Sequence, residues 1–234
     1  MTKLSLVLSS QARRLKSNNN LPLIVWCNMM LKSFFSNMRK YLLIHVIIFS
    51  FIFFSIPIIQ SRAEEKPPRT ELRSSYTNLS VSQVQSMPNI SIRRKKVWGF
   101  YGHSTIPHEY EAKTVGDNKV VIDHATGLMW HPSGSNEYMK RKEIKKWIRG
   151  LNSKGYAGYY DWRVPTVEEA SSLLEASEKN GNLYIDAVFD KKQRWLWTGD
   201  SCSSGGMWRV YLDDGYVDWG DVSYLFVRPV RKIR

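Results

Sequence analysis

The chain has 234 residues, of which 43% are hydrophobic and 13% are aromatic. That composition is sufficient for a packed core, and it excludes a wholly disordered or collagen-like chain. The formal net charge of +13 is unevenly spread: residues 1–63 hold eight Lys or Arg and no acidic residue, whereas residues 115–234 hold 18 basic and 16 acidic residues. Because nucleic-acid binding needs basic residues concentrated on the folded domain, we expect no nucleic-acid partner.

Residues 38–63 have the layout of an export signal. A short basic start is followed by the apolar segment 41–59 and by the small residues Ser61 and Ala63. This order predicts a signal peptide that is cleaved before Glu64. The apolar segment is also close to the ~20 residues that a membrane span needs, so an uncleaved anchor in the membrane is the alternative. Both interpretations export the C-terminal part to the periplasm, the cell surface or the medium, because the basic end stays inside.

Residues 1–37 fit neither interpretation of the export segment. Their apolar stretch, residues 21–31, is too short to span a membrane, and the remainder is polar and without pattern. We therefore expect the native chain to start at Met38. On this hypothesis residues 1–37 are a non-native or disordered extension.

Residues 64–97 are expected to form a linker that contains one short helix. Their first part is charged and polar with two adjacent prolines, which is typical of a flexible tether. Ser80 and Gln83 have the spacing of a capping box and predict the helix. A basic run then ends the linker, either as a solvated segment or as a contact for a sulfated or phosphorylated partner. The run consists of Arg93, Arg94, Lys95 and Lys96.

Residues 98–234 are expected to form the compact domain. A first helix is predicted within residues 139–152, where apolar residues recur at helical spacing. A second helix is predicted after Thr166, because Glu169 completes a capping box with it. Short alternating strands follow, including a hairpin that turns at residues 213–215. Two helices followed by mostly antiparallel strands predict an α+β domain.

Five short motifs lie in this domain, across about half of the chain. They are Val121-Ile122-Asp123 with Thr126-Gly127-Leu128-Met129-Trp130, Leu151-Asn152 with Gly155-Tyr156-Ala157-Gly158, Asp161-Trp162-Arg163-Val164-Pro165-Thr166 with Glu169, Trp195-x-Trp197-Thr198, and Val227-Arg228-x-Val230-Arg231. In this order they resemble the C-terminal domain family of the Legionella collagen-like adhesin. Val164 stands where that family usually has leucine.

The resemblance implies a C-type lectin-like domain with two helices and a mostly antiparallel sheet, related in architecture to formylglycine-generating enzymes. It also suggests sulfated polysaccharides as a ligand class. It does not imply a single function, because one fold hosts many. The formylglycine-generating enzymes depend on a reactive pair of cysteines, whereas the exported part of this chain has only Cys202. We therefore do not expect that activity here.

No constellation in the sequence predicts catalysis, and we expect no enzyme, no cofactor and no metal. The chain has no phosphate-binding glycine loop and no nucleophile elbow. The histidines of the domain have no spacing that forces a metal site; they are His103, His108, His124 and His131. Four carboxylates near the hairpin offer oxygen ligands of the kind that calcium prefers, but a turn explains the first two without a metal. They are Asp213, Asp214, Asp218 and Asp221.

Recognition is the function that the residues still favour. Aromatic residues in or beside loops can stack on sugars or anchor a protein partner. Asp161 and Arg163 flank Trp162, and they either pair with each other or bond to the backbone at the start of the second helix. The expected ligand contacts are Tyr159, Tyr160, Asp161, Arg163, Tyr216, Trp219 and Tyr224.

The leading hypothesis is a non-enzymatic, exported bacterial module that recognises a glycan, such as a sulfated one, or a protein at the cell envelope. One alternative is an envelope enzyme or enzyme accessory that uses Asp161, Arg163 and a histidine, which strongly shifted pKa values in a pocket would indicate. A second alternative is a structural or sensory component of an envelope assembly, which a wide exposed apolar patch would indicate. The sequence predicts no oligomeric state.

Overall fold

A computed structural model describes residues 68–221 and 224–233, together with Asn28, Leu31 and Lys32. The predicted export segment, residues 38–63, lies outside the described residues, as does nearly all of the predicted extension. None of the helices in the described part of the chain is long and apolar enough to span a bilayer. The chain divides into two units, Met1–Glu65 and Lys66–Arg234, and the described strands all lie in the second.

The described residues of the second unit form ten strands, three α-helices and one 3₁₀ helix. In chain order the elements are β1 (Asn78–Leu79), α1 (Val81–Val84), β2 (Ile90–Lys96), β3 (Gly99–Ser104), β4 (Tyr110–Val115), β5 (Asn118–Asp123), β6 (Leu128–Trp130), α2 (Arg141–Ser153), the 3₁₀ helix (Tyr156–Gly158), α3 (Val167–Ser172), β7 (Trp195–Cys202), β8 (Met207–Tyr211), β9 (Tyr216–Gly220) and β10 (Val230–Lys232).

The strands form two sheets. The larger has six strands in the order β1-β7-β8-β9-β3-β2, and the smaller has four in the order β10-β6-β5-β4. Only the β1–β7 pair is parallel; every other ladder between named strands is antiparallel. The structure therefore confirms an α+β class with mostly antiparallel sheets.

The main core contains residues of both sheets and of α3. Phe100 and Val210 come from the larger sheet, Trp130 from the smaller one, and Val167 from α3. A second cluster lies on the other face of the smaller sheet, around Trp162. Burial on both faces explains why β5 has three consecutive apolar residues, Val120, Val121 and Ile122, since a strand with one wet face alternates instead.

Both predicted capping boxes are present. The Thr166 hydroxyl accepts from the Glu169 amide at 3.1 Å, and the Glu169 carboxylate accepts from the Thr166 amide at 2.9 Å. Ser80 and Gln83 make the equivalent reciprocal bonds at the start of α1. Each box satisfies amides that the first helical turn leaves without partners, which is why these short sequences define where the helices begin.

Residues 68–97, the described part of the segment that the sequence assigned to a linker, are part of the folded unit. Within residues 68–97, β1 pairs with β7 and β2 pairs with β3, so both belong to the larger sheet. Leu72 and Val84 are buried in the main core. The linker interpretation missed this because the second half of β2 is exposed and basic, as an edge strand with a solvated face is.

This arrangement predicts that a chain shortened to residues 98–234 does not fold. It would lose two sheet strands and the buried Leu72 and Val84, each worth about 1.5–3 kcal/mol of burial. Far-UV circular dichroism and limited proteolysis of residues 66–234 and 98–234 would measure the difference. Equal protease resistance of the two fragments would show that residues 66–97 are dispensable.

Candidate ligand-binding surfaces

Five residues lie directly opposite one another across five neighbouring strands of the larger sheet. Arg94 on β2 pairs with Tyr101 on β3, and Tyr101 pairs with Tyr216 on β9. Tyr216 pairs with Tyr211 on β8, and Tyr211 pairs with Trp195 on β7. We call the four aromatic residues among them, Tyr101, Tyr216, Tyr211 and Trp195, the aromatic row. They come from distant parts of the chain, and only the strand order brings them side by side.

The aromatic row lies on the outer face of the larger sheet. The next residue along four of these strands points to the opposite face and is fully buried in the core. Those residues are Phe100, Val217, Val210 and Leu196. The row residues are half-buried, and Arg94 is exposed. The sheet therefore has a dry inner face and a solvent-accessible outer face lined with rings.

The rings of the row are in contact with one another. The ring centroids of Tyr101 and Tyr216 are 4.5 Å apart and nearly parallel, those of Tyr216 and Tyr211 are 5.8 Å apart, and those of Tyr211 and Trp195 are 6.1 Å apart. The Arg94 guanidinium lies 4.7 Å from the Tyr101 ring centroid. Cross-strand aromatic and cation–π pairs of this kind fix side-chain positions, so the row is preorganised.

Among the described residues, the outer face of the larger sheet carries one ion pair, Arg209 with Asp218, and two cations that take part in no ion pair, Arg94 and Lys96. Arg209 binds Asp218 through two hydrogen bonds of 2.8 Å, and burial raises the pKa of Asp218 above its ordinary value. Burial and the nearby Asp218 carboxylate raise the pKa of Tyr211 to about 12, so its hydroxyl stays protonated. None of the ion pairs of the described residues involves Arg94 or Lys96.

The predicted basic run is split by the sheet. Arg94 and Lys96 share the outer face and both lie over the Tyr101 ring. Lys95 points to the other side of β2. Arg93 sits at a β-bulge, donates to the Asp214 carbonyl at 3.1 Å and packs on an aromatic ring. Two of the four cations therefore face the aromatic row.

The structure separates the predicted contacts Tyr216 and Trp219. They are three positions apart on β9 and so lie on opposite faces. Trp219 pairs with the buried Trp208 at the core side, and its ring meets the exposed Trp98 edge-on at 5.5 Å. Tyr224 lies elsewhere, with the Lys140 amine 5.0 Å from its ring centroid.

Tyr159, Tyr160 and Asp161 lie together next to β10. Arg231 donates to Asp161 at 2.6 and 3.2 Å, and its guanidinium lies 3.7 Å from the Tyr159 ring centroid. Tyr160 is 71% exposed. Trp162, in contrast, is buried and donates its indole N–H to the Tyr156 carbonyl at 3.0 Å.

Arg163 does not pair with Asp161, although the two flank the same tryptophan. Its guanidinium binds both oxygens of the buried Glu169 at 2.6 and 2.7 Å, and its backbone bridges to Val230. Because the Glu169 carboxylate also closes the capping box of α3, this contact holds the entrance of α3 against β10. Arg163 thus has a structural role at the position where the sequence suggested a pocket.

A second ion pair joins Asp200 of β7, which also contacts the start of α3, to the segment before β1. Asp200 is fully buried and accepts from Arg73 twice at 2.8 Å, from the Thr77 amide at 2.8 Å and from the Val167 amide at 2.7 Å. Val167 is the first residue of α3, where a carboxylate is favourable to the helix. The sequence offered no signal for this contact, since Arg73 and Asp200 are 127 residues apart.

The closing motif is also structural. Arg228 is fully buried, and its guanidinium lies 4.9 Å from the Phe189 ring centroid. It donates to the backbone carbonyls of Pro132 and Asp190. Burial lowers its pKa to about 9. Arg231 in β10 and Arg228 just before it therefore hold this part of the chain against two different loops.

The histidines are separated, and each has its own surroundings. His108 lies between Asp123 and the Ser172 carbonyl, at 2.8 and 2.7 Å, and His124 binds Glu111 at 2.8 Å. Ser104 is 3.3 Å from the same nitrogen of His108 that contacts Ser172. Because the carbonyl holds that nitrogen, the arrangement does not free the ring to act as a base on the serine.

The carboxylates near the hairpin do not converge either. Asp213 accepts from the Trp195 indole at 2.9 Å, Asp214 accepts from the Tyr216 amide at 2.9 Å, and Asp218 binds Arg209. Within residues 68–221 and 224–233, no group of three His, Cys, Asp or Glu side chains is suited to hold a metal ion.

A groove beside α2 was missed by the sequence reasoning. Two adjoining cavities, of about 460 and 330 Å³, share the lining residues Glu137, Met139 and Trp147. We call them together the α2 groove. Tyr138 lines the groove and also packs against Trp195, so the groove adjoins one end of the aromatic row. The sequence signal that could have indicated the groove was the apolar face of α2. Within α2 only Ile144 is buried, so the rest of that face is left partly uncovered.

Comparison with known protein families gives a match for the second half of the chain. The family model described as Lcl C-terminal domain matches residues 119–231. No curated protein and no solved structure matches the chain. The matched region begins at β5, so β1 to β4 lie before it, although they complete the same two sheets.

Proposed function

Since residues 119–231 belong to the Lcl C-terminal domain family, we propose that the chain is a non-enzymatic bacterial binding module, exported to the cell envelope, with a C-type lectin-like fold. Its ligand is a sulfated glycan that binds the outer face of the larger sheet. The observation that carries this proposal is the aromatic row, with the cations Arg94 and Lys96 at its open end.

The chemistry of the row suits an anionic sugar polymer. The Arg94 guanidinium offers several N–H donors in a plane, which match sulfate oxygens, while Lys96 adds a point charge. Neither cation is neutralised by a carboxylate of the described residues. Tyrosines beside them supply apolar surface and hydroxyl groups at low conformational cost.

The contacts of the other predicted residues favour binding over catalysis. Asp161, Arg163 and His108, the groups that an envelope enzyme would need, are each engaged in contacts that hold the fold together. A protein ligand is the second candidate for the same face. Its support is the exposed Tyr138 at the end of the row, because tyrosine is frequent at protein interfaces.

Binding of the intact chain to heparin and dextran sulfate at increasing salt tests the proposal, with unsulfated dextran for comparison. We expect saturable binding to the sulfated polymers only, weakening steeply with salt because exposed charges are screened. The double variant Arg94→Gln and Lys96→Gln should bind at least roughly 100-fold more weakly, since two charged hydrogen bonds of about 1.5 kcal/mol or more each are lost.

The matched control is Lys142→Gln with Lys145→Gln, which removes two exposed cations from α2 instead. It should bind almost as tightly as the unaltered chain. An equal loss in both double variants would show that net charge, not the row, governs binding. Absence of binding to sulfated polymers at low salt would refute the sulfated-glycan proposal and leave a protein ligand.

A further inference from the structure

The wall of the α2 groove is apolar and incompletely covered. Trp147, Met139 and Leu151 line the groove. Trp147 and Met139 also pack against the buried cluster around Trp197, yet each stays partly exposed. A half-exposed indole beside a concave space is a flat apolar surface of the kind that small-molecule sites use. The cavity volumes fall within the range of about 300–1,000 Å³ that is typical of such sites.

Gly150 lies in the wall of the α2 groove, with free space beside it. It lies inside α2, where glycine is less favourable than alanine because it restricts more backbone freedom on folding. A Cβ atom at Gly150 would meet nothing within 4 Å, so packing does not require a glycine there. Gly150 lines the groove, and a larger side chain would occupy part of it.

His131 lines the groove, and contacts to its Nδ1 atom fix the orientation of its ring. Its Nδ1 accepts from the Gly134 amide at 2.8 Å, and its ring stacks on Tyr156 at 4.4 Å. Because Nδ1 accepts, the proton of the neutral ring is on Nε2. Burial, together with the charge of Arg228, lowers the pKa of His131 to about 4, so the ring is neutral near pH 7. No hydrogen bond between described residues uses Nε2.

The charged groups of the groove balance one another. Glu137 and Glu143 carry two negative charges, and Lys146 and Lys154 carry two positive charges. Glu137, Lys146 and Lys154 take part in none of the ion pairs of the described residues. The groove therefore offers acceptors and donors around an apolar wall, without a net charge that would attract a polyanion.

We propose that the α2 groove binds an uncharged oligosaccharide of β-linked pyranose rings whose hydroxyl groups are equatorial. Such rings have an apolar face of C–H groups that stacks on Trp147. Their hydroxyl oxygens accept from His131 Nε2–H and Lys146, and their hydroxyl protons are donated to Glu137. This site is separate from the aromatic row, and its ligand differs in charge from the sulfated glycan proposed there.

Calorimetric titration of the intact chain with cellotriose and with N,N′,N″-triacetylchitotriose tests the proposal. We expect saturable binding that quenches or shifts tryptophan fluorescence and is the same at low and high salt. Gly150→Phe, which fills the groove, should weaken binding at least about tenfold. The matched control Arg149→Phe places the same side chain on an exposed neighbouring position of α2 and should bind normally.

Glu137→Ala is a second variant that leaves the helix untouched, because this loop side chain is exposed. It should also weaken binding of the trisaccharides. Arg94→Gln with Lys96→Gln should leave trisaccharide binding unchanged, which separates this site from the proposed sulfated-glycan face. The proposal is overturned if neither trisaccharide binds, if Gly150→Phe binds normally, or if the groove takes up peptides instead.

Discussion

Replacing Asp200 by alanine is expected to lower the free energy of unfolding by about 3–5 kcal/mol, as removal of one partner from a buried ion pair usually does. The carboxylate is fully buried and has four hydrogen bonds, two from Arg73 and one each from the Thr77 and Val167 amides. Alanine leaves these donors without an acceptor. Urea denaturation followed by tryptophan fluorescence measures the change.

Three further variants test whether the loss of stability comes from the hydrogen bonds and the ion pair of Asp200. Asp200→Asn keeps one carbonyl acceptor, so its free energy of unfolding should lie between those of the unaltered chain and Asp200→Ala. Arg73→Met should also be strongly destabilising, because it leaves the fully buried Asp200 carboxylate without its counter-charge. Asp221→Ala, at an exposed position, should stay within about 0.5 kcal/mol. A loss below about 1 kcal/mol for Asp200→Ala would contradict the network as described.

Replacing Asp123 by asparagine is expected to destabilise the protein by about 1.5–3 kcal/mol at neutral pH. Asp123 is buried at the end of β5 and accepts from His108, the Thr126 hydroxyl and the Ala125 amide. Burial acts to raise the pKa of Asp123, but the hydrogen bond and charge of His108 outweigh it and hold the pKa below the ordinary value.

The sign of the pH dependence follows from the lowered pKa of Asp123. Its stabilisation is fully present above the ordinary aspartate pKa of 3.8 and is lost as the pH falls through the lower value of the folded state. The difference in the free energy of unfolding between the unaltered chain and Asp123→Asn should therefore decrease only in strong acid. Asp117→Asn, in the exposed turn before β5, is the control and should behave like the unaltered chain. A difference in the free energy of unfolding that stays constant down to the lowest pH measured would contradict this account.

The local parts of the fold were predictable because their signals are local. Thr166 and Glu169 are three residues apart, so the signal for the bonds between them is contained in one short segment of sequence. The hairpin turn before Tyr216 is similar, since Gly215 adopts a left-handed conformation that favours glycine. These features gave the helix starts, the antiparallel strands and the α+β class.

The partners of charged residues were not predictable in the same way. Asp161 and Arg163 are neighbours in sequence, and yet one binds Arg231 and the other binds Glu169. In an extended chain, the two residues that flank a buried tryptophan point to the same side of the backbone, away from the tryptophan. Which residues they contact there depends on the strands that pass nearby. The basic run shows the same dependence, because a β-bulge and the alternation of β2 decide which cations face the rings.

By itself, the sequence determined the class of fold, the positions of the capped helices and the family of the matched domain, because periodicity, caps and motifs are encoded by neighbouring residues. Only the tertiary structure decided that residues 68–97 complete the larger sheet and that Tyr101, Tyr216 and Tyr211 stand in one row. It also decided that α2 leaves a groove beside Trp147. These outcomes depend on strand order and on packing between distant segments, which bring residues together regardless of their separation along the chain.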